Sequence, residues 1–253
     1  MASISVVVPA FNAERTLARA LDGLEASLAY LRRRHPSVAA EILVVDDASK
    51  DRTAAVARDF AQGRPHVRVL AQARNRGAGA ARNEGVRRSA GDILFFADAD
   101  DVVFERHLFV GYDALARRPD LNVVQTKVRI DEELHPDWRA AIEDSVVFNK
   151  AVRRAAHDFI GGFFESPVFK VLPCEDVYYA MLLDRFFGLA RVDEATVHHF
   201  RRPGNALDRQ IHKFRQPRDA APDAETRRQR QLLPVVDRMF KARLKELESR
   251  SRA

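Results

Sequence analysis

Short apolar runs alternate with amphipathic stretches along the first 130 residues. That rhythm predicts successive βα units around a mostly parallel sheet. Ile4 to Val8 (ISVVV) reads as a buried strand stopped by Pro9, and Leu17, Leu21, Leu24 and Leu28 mark the inner stripe of a following helix. Glu41 to Val45 predicts a second strand and Asp51 to Ala61 a second helix. Val67 to Leu70, Gly79 to Ser89 and Ile93 to Ala97 continue as strand, helix and strand. Phe104 to Arg118 then predicts a helix, and Asn122 to Ile130 a strand.

Beyond Ile130 the rhythm loosens. Asp131 to Ser145 is acidic and irregular and holds the only tryptophan, Trp138. Asn149 to His157 and Asp176 to Phe187 predict helices, and Ala190 to Phe200 a late strand. Arg201 to Ala224, rich in Pro, Arg and Asp, reads as loop or linker. From Gln231 helical spacing resumes, with Leu232, Val236, Met239, Phe240 and Leu244 near one face.

Composition narrows the class. At 253 residues, 46% hydrophobic and 31% charged, the chain can bury one substantial α/β core plus an appendage. The net charge of +6 is concentrated after Phe200, in FRRPGNALDRQIHKFRQPR and ETRRQRQ. No aromatic-interleaved basic stripe or recognition helix accompanies it, so a nucleic-acid partner is not expected. The final helix sets Arg238, Lys241, Arg243 and Lys245 beside apolar residues. It is a candidate for peripheral contact with an anionic membrane or for a homo-oligomer, against packing on its own domain. A single cysteine, Cys174, excludes an internal disulfide. No basic leader or roughly 20-residue apolar run is present, and the expectation is a soluble cytoplasmic protein.

Candidate chemistry gathers where strands end. In an open parallel sheet, ligands bind beyond the carboxyl ends of the strands. Pro9-Ala10-Phe11-Asn12 follows the first strand, Asp46-Asp47-Ala48-Ser49 the second and Asp98-Ala99-Asp100-Asp101 the fourth. Each cluster has a competing reading as a helix cap; three on one rim favour a binding site. Like charges about 4 Å apart repel by roughly 4 kcal/mol at an effective dielectric near 20, so the last cluster calls for a cation. Gly77-Ala78-Gly79 permits a tight turn into a helix whose N-terminus suits phosphate. As a dinucleotide fingerprint GAGAAR falls short, because it lacks the third glycine and does not open the first βα unit. Arg74, Arg76 and Arg82 offer bidentate contacts to phosphate or carboxylate.

In their order and spacing, VVVPAFN, VVDDASKDRT and NRGAGAARNEGVRRSAGDILFFADADD resemble the nucleotide-binding half of glycosyltransferase family 2. The resemblance is close over about residues 3 to 130 and looser at NKAVRRAAHDFIGGFFE, PCEDVYYAMLLDRF and VDEATVHHFRRPGNAL. It implies an α/β GT-A fold, a Rossmann-like mostly parallel sheet with flanking helices and a C-terminal helical tail. Residues 1–130 would bind the nucleotide sugar, 131–200 would supply acceptor contacts and catalysis within the same domain, and 201–253 would form a basic loop and helix.

The resemblance also implies roles. Pro9 and Asn12 border the nucleobase and ribose, and Asp46 or Asp47 bonds the base. Asp98-Ala99-Asp100 matches the DxD motif, with Asp98 towards ribose and Asp100 on Mn²⁺ or Mg²⁺; Asp101 would support the cation through water. Arg82-Asn83 matches the triplet beside the diphosphate. Glu175-Asp176 matches the ED motif, whose aspartate is the base. The implied reaction is inverting, non-processive transfer from a nucleoside-diphosphate sugar, UDP-sugar favoured, to a hydroxyl of a glycan or lipid-linked acceptor in cell-envelope polysaccharide biosynthesis. A hard cation shared between one or two carboxylates and a diphosphate suits that chemistry.

Some segments depart from the pattern. DEELHPDWRAAIEDS matches nothing where relatives place acceptor contacts, and HHFRRPGNAL carries arginine and proline where many relatives have histidine or serine. The QxxRW motif of processive synthases is absent. Three competing readings follow: a catalytically inactive binding module; a haloacid-dehalogenase-like phosphatase, for which FFADADDV would supply the nucleophile; and a sugar nucleotidyltransferase, whose glycine-rich start after the first strand is lacking here.

Overall fold

A computed structural model describes residues 2–203, 205, 207–209, 211 and 224–252. The apolar runs become strands because both faces of the sheet are covered by helices, so neither side of a strand meets water. β1 (Ile4–Ala10) is buried along almost its whole length and pairs in parallel with β2 (Ala40–Asp46) and β4 (Ile93–Phe96). β3 (Val67–Ala71) extends this parallel half beyond β2. The crossovers are α1 (Leu17–Arg34), α2 (Thr53–Ala61) and α3 (Ala78–Arg87).

Further elements complete one eight-stranded sheet. They are β5 (Val102–Val103), α4 (His107–Arg117), β6 (Val123–Arg129), α5 (Pro136–Ser145), β7 (Lys150–Arg153) and α6 (Arg154–Ile160). A 3₁₀ turn at Pro167–Lys170, α7 (Glu175–Phe187), β8 (Ala190–His198) and α8 (Ala224–Arg250) follow. The strand order is β3-β2-β1-β4-β7-β6-β8-β5. β7 runs antiparallel between β4 and β6, while β6 and β8 are parallel.

Two expectations fail locally. Asn149 to His157 is not one helix: Ala151 and Val152 pair with Phe95 and Leu94, and only from Arg154 does the chain turn helical. The alanine-rich pattern is overridden because β7 fills the gap between β4 and β6. Asp131 to Ser145 is not irregular throughout, since Pro136–Ser145 forms α5. Only Ile142 of that helix is buried, too thin a stripe to show as periodicity, although Pro136 in the first turn is a start signal. The long loop predicted over Arg201 to Ala224 lies largely outside the described residues.

Two apolar layers sandwich the sheet. One joins Val6, Val8 and Phe95 to the inner faces of α1 and α4; the other joins Val7, Leu94 and Phe96 to α6, α7 and α8. α8 packs on its own domain through Val236, Met239, Phe240, Leu244 and Leu247. The Arg243 guanidinium lies 3.7 Å from the centre of the Phe164 ring and donates to the Gly162 carbonyl. α3 sits hard against β1: a Cβ on Gly85 would fall 2.3 Å from Val7 Cγ1, so glycine there sets the helix-to-strand distance. No described helix is long and apolar enough to cross a membrane.

Candidate active site

The carboxyl ends of β1, β2 and β4 open onto a cavity of about 480 Å³. Its walls include Pro9, Phe11, Asn12, Asp47, Gly77, Arg82, Asp98, Asp100 and Glu175, so three rim clusters and the first residue of the ED pair converge. Lys170, Arg202 and Arg209 add a basic side. Each loop is fixed by its own hydrogen bonds. Asn12 adopts a left-handed φ of 49° and its side-chain oxygen accepts from Lys50 N at 2.9 Å, while Ser49 Oγ accepts from Asn12 N at 3.0 Å.

Asp46 and Asp47 take different positions. Asp46 is buried and accepts from Ser49 N at 3.2 Å. Asp47 reaches the cavity wall, and its two oxygens accept from the backbone N–H groups of Arg76 and Gly77, each at 2.7 Å. Gly77, at φ 90°, makes the turn that aims both N–H groups at the carboxylate and starts α3. Burial raises the Asp47 pKa against these bonds.

Arg82 organises the centre. Its side chain is 3% exposed, and it donates to Asp98 Oδ1 at 2.7 Å and to Asp176 Oδ1 at 2.5 Å, with Glu175 Oε1 at 3.8 Å. One buried guanidinium thus bridges a residue that follows β4 and a pair that opens α7, the two halves of the site. Asn83, next along α3, donates to Phe163 O and Glu165 Oε1, both at 2.9 Å, and accepts from Phe163 N. It holds the 163–165 turn rather than lining the cavity.

Electrostatics separate the two ED carboxyls from ordinary surface acids. Burial pushes Asp176 up to about 7, with Arg82 opposing and Glu175 and Asp98 assisting. Asp176 keeps 23% of its side-chain exposure, while Glu175 is the member of the pair that lines the cavity. Glu175 is also raised, chiefly by burial, and its Oε2 has no hydrogen-bond partner. Cys174 is pushed up to about 12 by burial and the two carboxylates, which makes it a poor nucleophile.

Asp98, Asp100 and Asp101 place one carboxylate oxygen each within 4.8 Å of the others. They are not equivalent. Asp101 is buried with both oxygens taken, by His199 Nδ1 at 2.7 Å and Phe200 N at 3.0 Å. Asp98 and Asp100 face the cavity. Two cavity-facing carboxylates, each with one oxygen not held by an arginine, are a fitting donor set for a hard divalent cation. Asp100 meanwhile forms an ion pair with Arg202.

A family model described as glycosyl transferase family 2 matches residues 5–177, which spans every one of these carboxylates. The chain belongs to glycosyltransferase family 2. Dolichyl-phosphate beta-glucosyltransferase of Homo sapiens is 40% identical over 99 residues, covering 38% of this chain and 31% of that protein. The uncharacterized glycosyltransferase YibD of Escherichia coli is 33% identical over 122 residues, covering 48% and 33%. This family member therefore aligns with about a third of the length of these relatives.

Solved structures share the GT-A fold. TarS 1-349 of S. aureus in complex with UDP-GlcNAc superposes with a TM-score of 0.65 at 20% identity, covering 81% of this chain and 60% of that one. A mannosyltransferase of Pyrobaculum calidifontis in complex with GDP-Man and Mn²⁺ gives 0.66 at 20%, covering 84% and 61%. The family and fold set aside the phosphatase reading of FFADADDV, whose aspartates follow the fourth strand rather than the first.

Sequence reading gave no individual role to Phe11, Lys170 or Arg202 on the cavity wall. Phe11 is 47% exposed at the cavity edge, an unpaired aromatic in a polar loop. Lys170 donates to the Asn75 carbonyl across the cavity mouth. Arg202 belongs to a basic run that composition alone assigns to a solvated face. A large aromatic beside a strand-end glycine-free turn was a usable signal for Phe11; neither cation carried one.

Proposed function

We propose that this chain transfers one sugar from a nucleoside-diphosphate donor, UDP-sugar favoured, to a hydroxyl of a glycan or lipid-linked acceptor, with inversion. The observation that carries this reading is the Arg82 bridge, which ties Asp98 of the DxD loop to Asp176 of the ED pair beside a cavity that Asp98, Arg82 and Glu175 line. Residues 1–130 bind the donor, and 131–200 supply the base and acceptor contacts. Pro9, Phe11, Asn12 and Asp47 border the base and ribose, with Asp46 supporting the loop from beneath. Asp98 faces the ribose and Asp100 holds the cation.

Mn²⁺ or Mg²⁺ bound there would draw charge from the leaving diphosphate. Asp176, near neutrality and partly exposed, removes the acceptor hydroxyl proton. Arg82 keeps Asp176 and Asp98 in mutual register and Glu175 holds the start of α7. A similar structure carries UDP-GlcNAc and another GDP-Man with Mn²⁺, and the named relatives include dolichyl-phosphate glucosyltransferases; all agree with this class of donor and acceptor. Peripheral contact of the basic C-terminal stretch with an anionic membrane belongs to the same reading. Failure of the chain to float with acidic-lipid vesicles sinks that part.

The test is a panel of UDP- and GDP-sugars assayed with Mn²⁺ for binding, slow hydrolysis and transfer. Asp100→Ala is expected to abolish Mn²⁺-dependent binding and turnover; full activity in that variant removes the metal assignment. Donor binding without hydrolysis or transfer of any sugar would favour the inactive binding module instead.

A further inference from the structure

The segment that follows β8 is fastened to the DADD loop at several points. His199 Nδ1 and Phe200 N bond the two oxygens of Asp101, at 2.7 and 3.0 Å. The Arg19 guanidinium lies 4.2 Å from the centre of the Phe200 ring and donates to the Asp100 carbonyl at 3.2 Å. Asn205 Nδ2 donates to the Phe200 carbonyl at 2.7 Å, and Asn205 Oδ1 accepts from Arg202 N at 3.3 Å. These bonds deliver the Arg202 side chain onto Asp100.

The pairing has a consequence for loading. Asp100 lines the cavity, and Arg202 pairs with its Oδ2. A guanidinium and a divalent cation cannot both sit on that oxygen. The Arg202 Nε is buried without a hydrogen-bond partner, so the arginine is incompletely satisfied in this arrangement. Each of the three clustered aspartates already has an internal partner: Arg82 for Asp98, Arg202 for Asp100 and His199 for Asp101.

We propose that Arg202 is the resident counter-cation of Asp100, and that a divalent ion reaches Asp100 only by displacing it. This rests on the reading of Asp100 as the cation ligand. Arg202 thereby makes cation entry conditional on displacement of its own side chain, and Arg209 lines the same cavity. The device suppresses metal binding in the absence of donor, because the exchange of Arg202 for the ion gains little until diphosphate oxygens complete the coordination shell.

The experiment is a Mn²⁺ titration of the full chain without nucleotide, read by the electron paramagnetic resonance signal of free Mn²⁺. Wild type, Arg202→Ala, Arg202→Lys and Asp100→Ala are compared, with circular dichroism confirming that each is folded. Arg202→Ala is expected to bind Mn²⁺ about fivefold more tightly than wild type, the scale of a partly exposed ion pair. Arg202→Lys should lie near wild type, and Asp100→Ala should lose the site. If Asp100→Ala loses binding while Arg202→Ala matches wild type, the counter-cation proposal is wrong and the metal assignment stands. If Asp100→Ala binds Mn²⁺ as wild type does, the metal assignment fails and takes the proposal with it.

Discussion

Asp176 shows how much a single residue depends on its surroundings. An exposed aspartate would be a weak base at neutral pH, whereas burial lifts this one to about 7 and Arg82 limits the rise. The deprotonated form is the base, so turnover should climb as pH rises through about 7 and level off above it. Asp176→Asn should keep donor affinity and lower turnover by about 10²–10⁴-fold, the usual span for a general base; unchanged turnover excludes it. Arg82→Lys keeps the positive charge but loses the double-pronged contact, so the charge is held less closely against Asp176. The acidic limb of its pH profile should therefore move to higher pH, and an unmoved limb would show that Arg82 does not tune the base. The ED pair was legible in the sequence, but the direction of the Asp176 shift was not. Burial and dipole act oppositely there, and only the packing sets the extent of burial.

At the scale of elements, the 143–150 corner carries an unusual load. Lys150 is fully buried, and its ammonium donates to the carbonyls of Glu143 and Asp144 and to Asn149 Oδ1 at 3.0, 3.3 and 3.1 Å, and to Val146 O. It closes the C-terminal end of α5, where helix carbonyls have no internal partner. Burial lowers its pKa to about 7, with Asp144 and Asp176 opposing. Lys150→Met should cost about 2–4 kcal/mol by leaving those oxygens unpaired. Hydrogen exchange over residues 136–149 reads the loss, and unaltered protection there would refute the capping role. Here the sequence misled. The run containing Lys150 looks helical because its alanines and arginines fit either state, and only the empty lane between β4 and β6 selects a strand.

For the whole molecule, α8 closes the second apolar layer. Val236 is 1% exposed beneath it, so Val236→Asp buries an unpaired charge and should destabilise the protein by about 3 kcal/mol. Thermal unfolding measures the cost, and limited proteolysis shows whether α8 detaches. An unchanged melting temperature would mean that α8 is dispensable to the fold. The apolar stripe from Leu232 to Leu244 was visible in the sequence; whether it faces a domain, a membrane or a second copy was not, since all three bury the same side chains.

The sequence by itself determined the parallel half of the sheet, the rim on which the acids gather and the family. Those features are local: strand runs, turn residues and motif spacing are written in consecutive positions. Tertiary structure alone decided which acids are free. Asp101 is spent on His199 and Phe200, Asp47 on the turn before α3, and Arg82, on the cavity wall, on two carboxylates. Partners 16 to 99 residues apart made those choices. A hydrogen bond spends a group's capacity without leaving any mark in the sequence beside it.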